Sequence, residues 1–260
     1  MKSVKDVKCF LLDMDGTFYL GDRILDGSLD FIKAVVDSGR DYLFLTNNSS
    51  HNAAHYVKKL AKMGLEVTRD KVLTSGQATA MKVRTMFPGK KAFVLGNSFL
   101  FEELREYGIE IDQEHPDYVI IGYDTTLDYA KMTAVCDFVR AGLPYVATHP
   151  DFNCPTETGF APDIGAIMAF IEASAGRRPD LIIGKPYVGI VEAALERTGL
   201  KANELAMVGD RLYTDIACAL NAGIDGAFVL SGEGKIEDIG RTGIVPTYIY
   251  ENIGALAKDI

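Results

Sequence analysis

No apolar run in the sequence approaches the roughly 18 residues that a membrane-spanning helix needs. The opening residues, Met1-Lys2-Ser3-Val4-Lys5-Asp6, carry no apolar signal region. Low-complexity tracts and repeats at a fixed period are also missing. Cysteine is scarce: Cys9, Cys136, Cys154 and Cys218, with no two at metal-ligand spacing, which predicts free thiols in a reducing compartment and a cytoplasmic protein. Basic residues are in deficit, 27 Lys and Arg against 36 Asp and Glu, for a net charge of −9. That balance argues against nonspecific binding to nucleic acid or to anionic membranes. It leaves an anionic small molecule open, because a metal and a lysine can make one site locally positive. What remains is ordinary: 48% hydrophobic and 24% charged residues over 260 positions, enough for one large domain or two smaller ones.

The most informative stretch is Leu11-Leu12-Asp13-Met14-Asp15-Gly16-Thr17-Phe18-Tyr19. Residues 7–12 are short, mostly apolar and bounded, which predicts a buried strand of a parallel sheet. The apolar run stops at Asp13. In open α/β sheets ligands bind beyond the carboxyl ends of strands. Alternation sends Asp13 and Asp15 to the same side, with Met14 opposed. Two close carboxylates repel unless a cation or a shared proton intervenes. A divalent ion with oxygen ligands, most simply Mg2+, answers that repulsion. An acidic turn after a strand is the plainer alternative, since Asp-Gly is a common turn pair.

The rest of the chain alternates strands and helices. Gly21-Asp22 predicts a small hairpin. Ser28 is read as the N-cap of a helix over about 28–38, with Leu29, Ile32, Val35 and Val36 inward. A strand over 41–45 ends in Thr46-Asn47-Asn48-Ser49-Ser50, small hydrogen-bonding residues suited to an oxyanion. His51 and His55 stand four apart on the next helix and read as surface residues rather than metal ligands. From Thr74 to about Arg178 the pattern restarts, with strands at 92–95, 118–121 and 144–148. The stripe Met132, Val135, Cys136, Val139 is core packing. Residues 149–162 read as a long irregular loop, of the kind that is ordered and functional. The α/β alternation then resumes. The strand at 181–183 ends in Gly184-Lys185-Pro186, and the strand at 205–208 ends in Gly209-Asp210, with Asp215 following.

Four strands therefore end in polar chemistry: Asp13 with Asp15, Thr46 with Asn47, Lys185, and Asp210 with Asp215. In one parallel sheet those ends converge. Carboxylates can hold Mg2+, while a hydroxyl and an ammonium neutralise phosphate oxygens. One carboxylate remains to attack phosphorus and another to move a proton. Phosphoryl transfer is mostly positioning and charge stabilisation, so this inventory suffices for it. Taken singly, Lys185 could be a surface lysine, Asp210 a turn residue and Asp215 a helix N-terminal charge.

Asp13-Met14-Asp15-Gly16-Thr17, Thr46-Asn47-Asn48, Gly184-Lys185-Pro186 and Gly209-Asp210 with Asp215 resemble, in order, the four motifs of the haloacid dehalogenase superfamily of Mg2+-dependent phosphohydrolases. The Thr-Asn-Asn-Ser-Ser run, Asp151-Phe152-Asn153 through Pro155-Thr156, and the insertion between the second and third motifs resemble its NagD-like, p-nitrophenyl phosphatase group. The resemblance covers nearly the whole chain. It implies an α/β fold: a Rossmann-like, doubly wound parallel-sheet core over 1–75 and 179–260, with an inserted α/β cap over 76–178. It implies a phosphomonoester hydrolase that works on small phosphorylated metabolites through an aspartyl-phosphate. Asp13 is then nucleophile and metal ligand, and Asp15 is general acid/base with its carbonyl on the metal. Thr46, Asn47 and Lys185 hold the phosphoryl group, Asp210 binds Mg2+, and Asp215 acts one layer behind it or through a water. Phe152, Asn153, Thr156 and Phe160 are the candidates for substrate choice. A homodimer is expected because family members often dimerise. Tyr213 and Gly232-Glu233-Gly234 depart from the usual family residues, and neither departure is expected to touch the chemistry. A phosphotransferase or mutase shares the first half-reaction. A receiver-like phospho-acceptor also uses an acidic cluster, Thr and Lys, but needs about half this length.

Overall fold

The structure, a computed structural model, describes residues 4–156 and 158–260. It divides into two compact units, one of residues 1–46, 53–73 and 185–260, the other of 47–52 and 74–184. The division thus falls at 74 and 184 rather than at 76 and 178, and the short segment 47–52 goes with the second unit.

The first unit is built on a six-stranded sheet in the order Tyr248–Tyr250, Asp225–Val229, Leu205–Gly209, Cys9–Leu12, Asp41–Thr46, Val72–Thr74. The first five pair in parallel. Every residue of Cys9–Leu12 and of Leu205–Gly209 is buried, as strands covered on both faces must be. Phe10 and Leu12 join Phe44, Val208 and Ala227 in one apolar cluster, and Phe10 meets Phe31 edge-on at 5.3 Å. Each such side chain contributes roughly 1.5–3 kcal/mol by leaving water, so the central strands are the most firmly held part of this unit.

The small hairpin forms as Tyr19–Leu20 against Arg23–Ile24. The following helix, Ser28–Asp37, differs from its sequence reading in two ways. Gly27, left-handed at φ +80°, occupies the cap position, and the buried Ser28 hydroxyl instead donates to the Phe18 carbonyl at 2.8 Å. Phe31 rather than Leu29 faces inward, and Leu29 and Val36 are exposed, because the helix turns its Ile32–Val35 edge to the sheet.

The second unit has a five-stranded sheet in the order Leu181–Ile182, Tyr145–Ala147, Tyr118–Ile121, Lys91–Leu95, Glu110–Ile111, all parallel. Val135, Cys136 and Val139 pack into its core with Ile164, Ile167 and Ile171, whereas Met132 stays half-buried. Two expectations fail here. The strand before Lys185 pairs with Tyr145–Ala147, so it belongs to this sheet and not to the six-stranded one. Residues 149–162 are not irregular: Asn153–Thr156 and Gly159–Pro162 form an antiparallel hairpin. Both its strands are edges, so Pro155 and Pro162 can direct their missing donors away from the partner. Among the described residues no helix is long and apolar enough to cross a membrane.

Candidate active site

Asp13 is the first residue past the strand Cys9–Leu12. Its amide donates to the Val208 carbonyl at 2.9 Å, which continues the parallel pairing and sets Asp13 beside the end of Leu205–Gly209. Asp210 is the next residue after that neighbouring strand. Asp215 lies in a wide π-type turn, Leu212–Ile216, of the kind often found at functional sites. The turn brings its carboxylate back, so that Oδ2 accepts from the Arg211 amide at 3.1 Å. One carboxylate oxygen from each of Asp13, Asp210 and Asp215 lies within 4.8 Å of the others.

Lys185 closes this cluster. It is 3% exposed, and its Nζ donates to Asp13 Oδ1 and, at 2.7 Å, to Asp215 Oδ1. Burial alone would lower its pKa, but Asp13 and Asp215 outweigh burial and raise it, which holds the ammonium charged. One ammonium does not balance three carboxylates. Burial, then repulsion from Asp13, pushes the Asp210 carboxyl above the ordinary range. Burial also raises Asp215, Lys185 opposes it, and the charges of Asp13 and Asp210 add to the rise.

Asp210 sits in a tight cradle. Thr17 donates its hydroxyl to Oδ1 at 3.2 Å, and the Glu233 amide donates to Oδ2 at 2.8 Å. A Cβ on Gly16 would come within 2.5 Å of Asp210 Oδ2, and one on Gly232 within 2.0 Å, so glycine is required on both sides. The expectation that Gly232-Glu233-Gly234 is remote from the chemistry is therefore corrected. Sequence reasoning placed Thr17 in the first motif without a role of its own, and passed over Ser231, whose hydroxyl donates to the Gly16 carbonyl at 2.9 Å. The available signal was positional: Asp225–Val229 is another parallel strand of this sheet, and it too runs into a polar, glycine-rich turn.

Asp15 keeps access to solvent. Partial desolvation still raises its carboxyl above the usual range; Lys59 opposes the rise and Asp13 adds to it. Among the described residues its carbonyl accepts no hydrogen bond, while those of Met14 and Gly16 are taken. Thr46 ends the strand next to Cys9–Leu12 and is nearly buried. Asn47 falls in the second unit, where its amide donates to Asp151 Oδ2 at 2.9 Å and its carbonyl accepts from the Ser75 hydroxyl. Phe152, Asn153, Thr156 and Phe160 lie on or beside the hairpin of the second unit, all exposed.

Three carboxylates without a histidine or thiol among them are a hard-oxygen donor set, which suits Mg2+ or Ca2+ rather than softer metals. No other described group of His, Cys, Asp and Glu is arranged to hold an ion; His51 and His55 stand outside this one.

The comparisons agree with this chemistry. Residues 10–110 match the family described as haloacid dehalogenase-like hydrolase, and residues 182–256 match a second hydrolase family of the same kind. An acid sugar phosphatase of Staphylococcus aureus is 38% identical over 258 residues, 99% of both chains. The crystal structure of a 4-nitrophenylphosphatase from Thermotoga maritima superposes with a TM-score of 0.94 at 46% identity, over 98% of this chain and 97% of that one. NagD from Escherichia coli K-12 superposes with a TM-score of 0.89 at 33% identity, over 95% and 97%. The chain therefore belongs to the haloacid dehalogenase-like hydrolases and is a phosphatase of their NagD-like, p-nitrophenyl phosphatase group.

Proposed function

We propose that this phosphatase is Mg2+-dependent and hydrolyses small phosphomonoesters, sugar phosphates and aryl phosphates among them, through an aspartyl-phosphate on Asp13. The observation that carries the reading is the Lys185 ammonium bound by Asp13 and Asp215, with Asp210 completing a cluster of three carboxylates. Asp13, Asp210 and the Asp15 carbonyl are the groups that would hold the ion, with Asp215 behind them. Mg2+ bound there supplies positive charge that offsets the carboxylates and the phosphoryl oxygens.

Asp13 then attacks phosphorus, forming an O–P bond as the ester P–O bond breaks. Asp15 gives its proton to the leaving alkoxide; a carboxyl raised by desolvation is suited to that task. Having lost the proton, Asp15 takes one from water as the water attacks phosphorus and the Asp13–phosphorus bond breaks. Lys185, Thr46 and Asn47 are assigned to the non-bridging oxygens. Phe152, Asn153, Thr156 and Phe160 are assigned to the leaving group, because the charged residues act on the phosphoryl group that all substrates share.

A phosphoester panel with direct measurement of phosphate release tests the reading. Release should require Mg2+, stop in excess chelator and return when Mg2+ is restored. Full activity in chelator rejects the metal assignment, and absence of release from every sugar and aryl phosphate rejects the substrate class.

A further inference from the structure

The turn 231–234 reaches Asp210 through its backbone, and its one long side chain is itself held. The Glu233 amide binds Asp210 Oδ2, and the Gly234 amide binds the Asp210 carbonyl at 3.0 Å. The Glu233 carboxylate turns back toward the segment that carries Asp210. Tyr213 donates its hydroxyl to Oε1 at 2.8 Å, and Arg211 Nε stands 2.9 Å from Oε2. Arg211 adjoins Asp210, and Tyr213 lies two residues before Asp215. The contacts thus form a closed ring: Asp210 to the Glu233 amide, the Glu233 carboxylate to Tyr213 and Arg211, and the chain from Arg211 back to Asp210. Apart from Asp210 itself, no residue of this ring contributes an atom to the carboxylate cluster.

We infer that Glu233, clamped by Tyr213 and Arg211, is a positioning residue for the divalent ion: it keeps the turn 231–234 closed on Asp210 and orients that carboxylate before the ion arrives. The inference rests on the Mg2+ reading above. Its physical basis is preorganisation. A carboxylate free to rotate must be ordered when the ion binds, and one already fixed by Thr17, Glu233 and two flanking glycines loses less entropy. Groups that orient a metal ligand typically change metal affinity by about 10–100-fold. Glu233 is 54% exposed on its side chain, so solvent weakens the clamp and an effect of about three- to tenfold is expected.

Calorimetric titration of the full chain with Mg2+ alone tests this, comparing wild type with Tyr213→Phe, Glu233→Gln and the double variant. Tyr213→Phe is decisive, because it removes the donor to Glu233 and alters no charge. Expected are a Kd for Mg2+ raised about three- to tenfold in each single variant and a double variant no weaker than the worse single one. The metal-free melting temperature should stay within about 2 °C of wild type. An unchanged Kd in Tyr213→Phe overturns the inference, including the case where Glu233→Gln alone weakens binding, since charge then explains everything. A melting temperature that falls in step with affinity also overturns it, because the ring then merely supports the fold. Absence of Mg2+ binding by the wild-type chain rejects the metal assignment and the inference with it.

Discussion

Asp13 and Asp15 have one residue between them, and their different surroundings suit them to the different roles proposed. Asp13 accepts a hydrogen bond from the buried Lys185 ammonium, whereas Asp15 faces solvent with its carboxyl raised. Asp13→Asn removes the carboxylate proposed as nucleophile with almost no change of volume. Turnover should fall below a few per cent of wild type while circular dichroism stays the same; retained turnover assigns the nucleophile elsewhere. Asp15→Asn removes the group proposed as proton donor. Alkyl phosphates need that proton for their poor leaving groups, and p-nitrophenolate leaves without it. Single-turnover phosphoryl transfer should therefore slow by at least about tenfold more for an alkyl phosphate than for p-nitrophenyl phosphate. Equal losses on both would leave Asp15 no acid role. Protonation also bears on the ion. Asp210 and Asp215 have raised carboxyls, and a metal ligand must give up its proton to bind. Their protonated fractions grow as pH falls, so protons compete with Mg2+ on the acid side. The half-activating Mg2+ concentration should rise from about pH 8 to about pH 5.5, by up to roughly tenfold per pH unit for each proton displaced. A flat profile would show that the carboxylates are ionised without the ion.

Elements show where local pattern suffices and where it fails. His149, two residues past the strand Tyr145–Ala147, is fully buried, with Nδ1 3.0 Å from the Thr148 hydroxyl and Nε2 3.1 Å from Asp163 Oδ1. Asp163 in turn caps the helix Ile164–Ala175, and its amide donates to the Phe152 carbonyl at the base of the hairpin. His149→Ala should lower stability by roughly 2–4 kcal/mol in thermal unfolding, through a cavity and the loss of one of the two hydrogen bonds at the buried Asp163 Oδ1, the other coming from the Ile164 amide. A loss below about 1 kcal/mol would show that the hairpin base does not depend on this bond. The Thr148 hydroxyl also lies 3.0 Å from that of Ser49, and the resulting chain Asp163–His149–Thr148–Ser49 could not be read from sequence, since it joins three separate segments and each residue type is common. The strands at Cys9–Leu12 and Leu205–Gly209 could be read, because burial on both faces leaves an uninterrupted apolar run. Membership of Leu181–Ile182 in the second sheet could not, because sheet membership is decided by long-range pairing with Tyr145–Ala147. The hairpin 153–162 was hidden by its prolines, which suit an edge strand but resemble a loop in one dimension. The cluster of Asp13, Lys185, Asp210 and Asp215 was legible because its chemistry sits in side chains. The contact from Glu233 to Asp210 was not, because its donor is a backbone amide that every residue except proline carries.

At the scale of the whole molecule, most residues assigned to catalysis and those assigned to selectivity fall in different units. The residues assigned to the metal, and Asp13, Asp15, Thr46 and Lys185 among those assigned to the phosphoryl group, belong to the first unit; Asn47 belongs to the second. These side chains are polar or charged and are assigned to the ion and the phosphoryl group, which every substrate shares. The second unit presents exposed aromatic faces at Phe152, 62% exposed, and Phe160, 74% exposed, with the polar side chains of Asn153 and Thr156 close by in sequence. Large apolar side chains left in water beside polar ones suit a small organic group with hydroxyls, such as a sugar. Substitution at Phe152, Asn153 or Phe160 should therefore change relative kcat/KM among phosphoesters by about tenfold, equivalent to about 1.4 kcal/mol in differential transition-state binding. Single-turnover chemistry on p-nitrophenyl phosphate should change far less, because its leaving group needs little help. Exposure also makes these positions safe to alter, since surface substitutions usually shift stability by no more than about 0.5 kcal/mol. A uniform fall across all substrates would mean that the hairpin supports the fold or the catalytic cycle as a whole. Selectivity would then have to reside in other residues of the second unit.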